Sequence, residues 1–259
     1  MDNIKMFVIT HKPLYVKTLD FYIPIKVGTN NNEKMKLYIS DNTGDNISSK
    51  NSNYCELTAI YWLWKNYDLP KYIGICHYRR FFVKGIFSKI LNENDINKMM
   101  TKNDVILPYP NKALPNVWEY FVHSKSCNNE NELKVLKEII KNKYPDYYED
   151  FNIVMTDNKL SYCNMAIMKK KDFVDYCSWL FDILFEYEKK IDISTFNDEE
   201  KRIFGYVSEF LLNVWIRNKK KKIKYCSIIK YESSKLKTLA KKFKKILKDG
   251  ERIITNEKK

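Results

Sequence analysis

The chain has 259 residues, 44% of them hydrophobic and 15% aromatic, which suffices for one substantial core with a small appendage and excludes a disordered chain. Its formal net charge is +14 at pH 7, yet residues 218–249 hold thirteen lysines against two acids, for +11, while residues 1–217 carry only +2. The basicity therefore argues for an anionic partner of a tail and says nothing about what the nearly neutral body binds. No segment resembles a signal peptide and no apolar run is long enough to span a bilayer, so a cytoplasmic location is expected. The six cysteines (Cys55, Cys76, Cys127, Cys163, Cys177 and Cys226) form no CxxC pair and read as reduced, mostly buried thiols. With only His11, His77 and His123 to add, a dedicated zinc site has little ligand supply.

In chain order, Lys5 to Ile9 predicts a first strand, left through the loop Thr10-His11-Lys12-Pro13. Residues 21–27 and 37–39 are short strand candidates, and Ser40 to Asn53 reads as a long surface loop of a kind that often carries function. Tyr54 to Tyr67 has Leu57, Ile60, Tyr61 and Trp64 at helical spacing and ends before Leu69-Pro70. Tyr72 to Cys76 is the next strand, followed at once by His77-Tyr78-Arg79-Arg80. Asp104 to Leu107 (strand), Leu133 to Lys143 (helix), Met165 to Met168 (strand), Lys170 to Tyr187 (helix) and Ser208 to Arg217 (helix) complete the alternation. Strands separated by helices predict an α/β fold with a mostly parallel sheet covered on both faces.

Ligands of such sheets sit at the carboxyl ends of the strands, where Thr10, His11, Lys12, His77, Tyr78, Arg79 and Arg80 fall, with Asn164 entering the Met165 strand from the other side. Adjacent arginines are suited to phosphate because a guanidinium grips its oxygens in a fork and keeps its charge, although a surface pair is the competing reading. Ser208-Glu209 reads as a helix cap, with a base, Glu209, facing a cleft as the functional alternative. Asp157, in a polar turn before Tyr162, is a weaker candidate. The dinucleotide fingerprint, the P-loop, GxSxG, HExxH and the kinase motifs are all missing.

THKPLY, YISDNTGDNISSKNSNYCELTAIYWLWKN, YIGICHYRRFF, DVILP and GYVSEFLLNVWI together resemble a bacterial domain, formerly of unknown function, found in capsular, exopolysaccharide and lipopolysaccharide biosynthesis proteins. Members of that family are described as glycosyltransferases, with galactofuranosyl transfer among the attributed activities. The resemblance covers about residues 5–217 and implies Asn53, Glu56, His77, Arg79, Arg80, Ser208 and Glu209 as site residues. The element order also looks like that of single Rossmann-like (GT-A-like) nucleotide-sugar transferases, which carry Asp-x-Asp after a central strand. Here that place holds His77-Tyr78-Arg79-Arg80, so no metal ligand is assigned and Mg or Mn, although possible, is disfavoured.

The expectation is therefore a glycosyltransferase domain over residues 1–217 that moves a sugar from a nucleotide sugar to a saccharide or lipid-linked acceptor. Arg79 and Arg80 would meet the phosphates and Glu209 would be the base. Residues 218–259 form a Lys-rich tail in which Leu236, Leu239, Ala240, Phe243, Ile246 and Leu247 predict a basic amphipathic helix, expected to meet an anionic membrane surface at the inner face of the cell membrane. Nucleic acid is not expected as a partner, because the aromatics fall on apolar helix faces and the lysines in the tail. A nucleic-acid-binding module and a non-catalytic scaffold of a polysaccharide assembly complex are the rival readings.

Overall fold

The computed structural model describes residues 3–14, 18–28, 33–85, 89–123 and 130–231. The apolar run near the start forms β1 (Ile4–Thr10), buried along nearly its whole length, as a central parallel strand must be. Parallel to it lie β2 (Tyr22–Lys26) and, beyond, β3 (Ile39–Ser40). The helix expected at Tyr54–Tyr67 is α2 (Leu57–Asn66), and a separate short helix, α1 (Asn51–Tyr54), occupies the end of the segment expected as loop, the two parted at Cys55, which takes φ +54°. β4 (Tyr72–His77) pairs parallel with the free side of β1. The two-residue turn Tyr78-Arg79 then returns the chain as β5 (Arg80–Lys84), with His77 opposite Arg80. So short a turn permits only an antiparallel return. The chain continues through β6 (Lys89–Ile90), α3 (Glu93–Met100), β7 (Val105–Pro108), β8 (Asn111–Lys112), α4 (Val117–Val122), α5 (Glu130–Lys143) and α6 (Pro145–Thr156). The described residues end with β9 (Lys159–Leu160), β10 (Ile167–Lys169), α7 (Lys170–Lys190), α8 (Ile203–Asn218) and β11 (Ile223–Lys230).

These pairings correct the expected single Rossmann-like, mostly parallel, GT-A-like sheet. β10 runs antiparallel to both β4 and β7, and β11 is parallel to β7 and antiparallel to β5. Because β5 also pairs with β4, strands β4, β10, β7, β11 and β5 close into a five-stranded mixed barrel. β1, β2 and β3 extend from β4, and β6 from β5. Alternate side chains of β1 divide between two apolar layers. Phe7 and Ile9 join the larger one under α2, α7 and α8, whereas Met6 and Val8 join Phe81, Phe82, Ile106 and Ile167 in the smaller one, which α3 covers with Ile96 and Met100.

Three further expectations change. The helix expected from Ser208 begins at Ile203, so Ser208 is fully buried in the second turn and caps nothing, and Glu209 is not in the first turn. The strand expected at Met165–Met168 is Ile167–Lys169. Ile223–Lys230, inside the segment expected as tail, is a strand of the barrel. The amphipathic helix expected from Ser233 lies outside the described residues. Among the described residues no helix is long and apolar enough to cross a membrane.

Candidate active site

β1 and β4 are parallel neighbours with Ile9 opposite His77, so Thr10-His11-Lys12 and Tyr78-Arg79 leave the sheet side by side. The Tyr78 N–H donates to the Ile9 carbonyl at 3.0 Å, and the Thr10 hydroxyl donates to the Lys12 carbonyl, tightening that exit. Over these strand ends lie the Cys55 turn, the first turns of α8 and the Cys163-Asn164 turn before β10. Together they enclose a cleft of about 660 Å³, lined among others by Thr10, His11, Lys12, Glu56, His77 and Tyr78 together with Arg79, Arg80, Arg202, Tyr206 and Glu209.

Backbone strain concentrates here. Cys55, Cys163 and Asn164 have φ of +54°, +77° and +49°, a region that non-glycine residues occupy only when their surroundings hold them. The holding groups are visible. Asn164, buried, donates from Nδ2 to Glu56 Oε1 at 2.9 Å and to Ser208 Oγ at 2.7 Å, and Ser208 passes a bond on to the Gly205 carbonyl at 2.7 Å. His77 Nε2 donates to the Cys163 carbonyl at 2.5 Å, which fixes Nε2 as a protonated ring nitrogen.

Glu209 projects from the second turn of α8. Burial, then the neighbouring Glu56 carboxylate, push its pKa up to about 8, against the opposing Cys163 N–H, Arg80 and Arg202. It remains half-buried, so its carboxyl is desolvated without being cut off from the cleft. His11 moves the other way: desolvation, then the Lys12, Arg79 and Arg202 cations, lower its pKa. Its ring meets Tyr78 edge-on at 5.0 Å. Arg79 is exposed and lies over the Tyr78 ring at 5.2 Å, and Arg80 is half-buried beside His77. Arg202 lies over Tyr206 at 5.3 Å and donates to Cys55 Sγ at 3.2 Å. Three arginines and Lys12 thus face two carboxylates, a cationic cleft suited to an anion carrying more than one charge.

Of the residues singled out in the sequence, Thr10, His11, Lys12, Glu56, His77, Tyr78, Arg79, Arg80 and Glu209 line this cleft. Asn164 and Ser208 lie beneath it as supports. Asn53 instead donates to the Lys201 carbonyl at 3.0 Å, and Asp157 ends α6 and lines a separate cleft with Lys159 and Lys220. Sequence reasoning missed Arg202, Tyr206, Cys55 and Cys163. A signal existed for the first two: Arg202, Tyr206, Glu209 and Asn213, spaced four, three and four apart, form a polar stripe on an otherwise apolar helix.

Fold and site define an α/β protein built on a mixed barrel, with a desolvated carboxyl at the wall of a cationic cleft. Residues 5–221 match the family described as a domain of unknown function, DUF4422, and the chain belongs to that family. Among solved structures it is similar to the apo structure of WbbM, described as a bifunctional glycosyltransferase, at 28% identity and a TM-score of 0.80. That match covers 90% of this chain and 46% of the other, so the chain spans about half the length of that relative. No curated protein matches the chain.

Proposed function

We propose that this chain is a glycosyltransferase that moves a hexosyl group from a nucleoside diphosphate sugar to a saccharide or lipid-linked acceptor. The observation that carries the reading is Glu209, a carboxyl with its pKa raised to about 8, held in one cleft with Arg79, Arg80 and Arg202. Family membership and the likeness to part of a bifunctional glycosyltransferase support it.

In this reading the acceptor hydroxyl oxygen attacks the anomeric carbon and its proton passes to Glu209. The bond from that carbon to the phosphate oxygen breaks, and the electron pair leaves with the nucleoside diphosphate. Charge grows on the departing phosphate, so preorganised arginines stabilise the transition state more than the ground state. A raised pKa suits the base, because a carboxylate that binds its proton more tightly takes one from a hydroxyl more readily. Glu56 keeps that pKa high and is itself held by Asn164. The proposal extends to a reaction at an anionic membrane surface, supported by the lysine-rich sequence after Tyr231.

The test is product mass spectrometry on the purified full chain across nucleotide sugars with saccharide acceptors, beginning with a galactofuranosyl donor, the activity attributed to proteins that share these motifs. Transfer from one donor, lost in Arg80→Ala and Glu209→Gln, is expected. Folded protein that binds no nucleotide sugar overturns the reading. The same assay after EDTA treatment, with and without added Mg or Mn, decides whether the arginines act without a metal.

A further inference from the structure

Adjoining the main cleft lies a second, smaller cavity of about 170 Å³, which none of the three arginines lines. Tyr120, Phe121, Tyr162, Tyr206 and Phe210 line it, and Glu209 and Tyr206 belong to both cavities. The main cleft is cationic, whereas this one is walled by rings. At that volume it is below the ~300 Å³ at which drug-sized pockets begin, so it admits one ring-sized group.

Two features mark it as built for a ligand that is flat on one face and polar at its edge. The Tyr162 hydroxyl is buried and has no hydrogen-bond partner among the described residues, an arrangement that costs stability unless something else satisfies it. Its ring is held in place because Ser161, next to it, is clamped to α8: Asn213 Nδ2 donates to the Ser161 carbonyl at 3.0 Å and Asn213 Oδ1 accepts from the Ser161 N–H at 3.3 Å. Tyr120, 46% exposed, lies 6.1 Å from the Tyr162 ring and leaves its own ring available at the mouth.

We infer that this aromatic cavity binds the sugar ring of the acceptor that carries the attacking hydroxyl, with Tyr120 against the C–H face of the ring and the Tyr162 hydroxyl bonded to one of its oxygens. The inference rests on the proposed glycosyl transfer. That reaction needs cations beside the departing phosphate and the acceptor hydroxyl on the opposite face of the anomeric carbon within reach of the base, and Glu209 lines both the cleft that holds the arginines and the cavity walled by rings. A pyranose fits the opposed requirements, since its ring face is apolar and its edge carries hydroxyls. A nucleobase also stacks, but it belongs to the donor and sits across the diphosphate from the bond that breaks.

The experiment is saturation-transfer NMR on the full chain with methyl glycosides of glucose, galactose, mannose and rhamnose as probes, alongside calorimetry with uridine and guanosine diphosphates. At least one glycoside is expected to show transfer, lost in Tyr120→Ala and weakened about fivefold in Tyr162→Phe, the scale of one hydrogen bond. Nucleoside diphosphate affinity should stay within about twofold in both variants. Tyr120 is exposed and Tyr162→Phe removes only a hydroxyl, so both variants fold. Nucleoside diphosphate binding without glycoside transfer, or a Tyr120→Ala variant that loses nucleoside diphosphate instead, overturns the subsite. Glycoside transfer that depends on Tyr120, in a protein that binds no nucleoside diphosphate, upholds the subsite and sinks the proposed function.

Discussion

At Glu209 the burial that makes the carboxyl a better base also works against the fold. Its pKa is about 8 in the folded chain and near 4.5 once unfolded, so between those values the unfolded state gives up a proton that the folded state keeps. Below pH 4.5 both states are protonated and nothing is lost; the penalty grows from there to pH 8 and is constant above. Glu209→Gln removes it. Thermal melts should therefore show the variant a few degrees more stable than wild type at pH 8 and equal to it at pH 4. In turnover the same change is expected to cost at least ~100-fold with little effect on nucleoside diphosphate affinity, the signature of a lost general base. Wild-type turnover should rise with pH toward about 8 and then level, and the variant should lack that rise. The arginines differ in weight. Arg80 is half-buried and close enough to Glu209 to oppose its pKa shift, whereas Arg79 is exposed over Tyr78. Arg80→Ala should cost about 2–4 kcal/mol of transition-state stabilisation and Arg79→Ala less. Lysine at either position keeps the charge but not the fork, so steady-state kinetics should show partial recovery.

At the scale of elements, the site depends on how closely α8 approaches the break between α1 and α2. A methyl on Gly205 would lie 3.1 Å from Cys55 Sγ and 3.2 Å from its Cβ. Cys55 has little room to yield, because its N–H donates to the Asn51 carbonyl at 2.9 Å and its own carbonyl accepts from Asn51 Nδ2 at 2.7 Å. Helix propensity favours alanine over glycine by about 1 kcal/mol, and overpacking opposes it by about 1–3 kcal/mol. Gly205→Ala is therefore expected to lower the melting temperature by about 2–4 °C and to reduce turnover disproportionately, since Glu56 and Arg202 flank Cys55. A rise in melting temperature would show that the turn gives way. The strands that carry the site were readable because Ile4–Thr10 and Tyr72–His77 are continuous apolar runs, and the polar residues that follow them fell into the cleft as expected. β5 was hidden, because Arg80 opens it and was grouped with the polar residues that leave the preceding strand, and β11 was hidden by the lysines around and within it. Missing both strands concealed the closure of the barrel. Arg202 and Tyr206 were lost with the wrong start of α8. Asn53 and Asp157 have plausible side chains, but local geometry turns the first to the Lys201 carbonyl and puts the second at the end of α6. The Asn164 bonds to Glu56 and Ser208 join residues 108 and 44 positions away in the chain, which no local pattern encodes.

For the whole molecule, the basic character of the C-terminal part divides at Tyr231. Six lysines between residues 218 and 231 belong to the end of α8, the turn after it and β11, and one of them, Lys221, is paired with Asp172 at 2.6 Å. Residues 232–259 hold ten cations and four acids, a net charge of +6, attached to a folded part with its own surplus. Removing everything after Arg217 would take away β11, stripping β5 and β7 of a partner and leaving open sheet edges, so loss of any activity in such a chain would report misfolding. The informative truncation ends at Tyr231, whose N–H donates to the Arg79 carbonyl at 2.8 Å and so closes the last described contact with the site. Each basic residue near an anionic bilayer contributes about 1 kcal/mol, screened as salt rises. The full chain is accordingly expected to sediment with vesicles containing phosphatidylglycerol at ~0.15 M salt and to release as salt is raised. The chain ending at Tyr231 should melt cooperatively, bind nucleoside diphosphate as the full chain does, and stay in the supernatant. If it sediments equally well, the attraction resides in the lysines around α8 and β11, and the sequence after Tyr231 has no part in it.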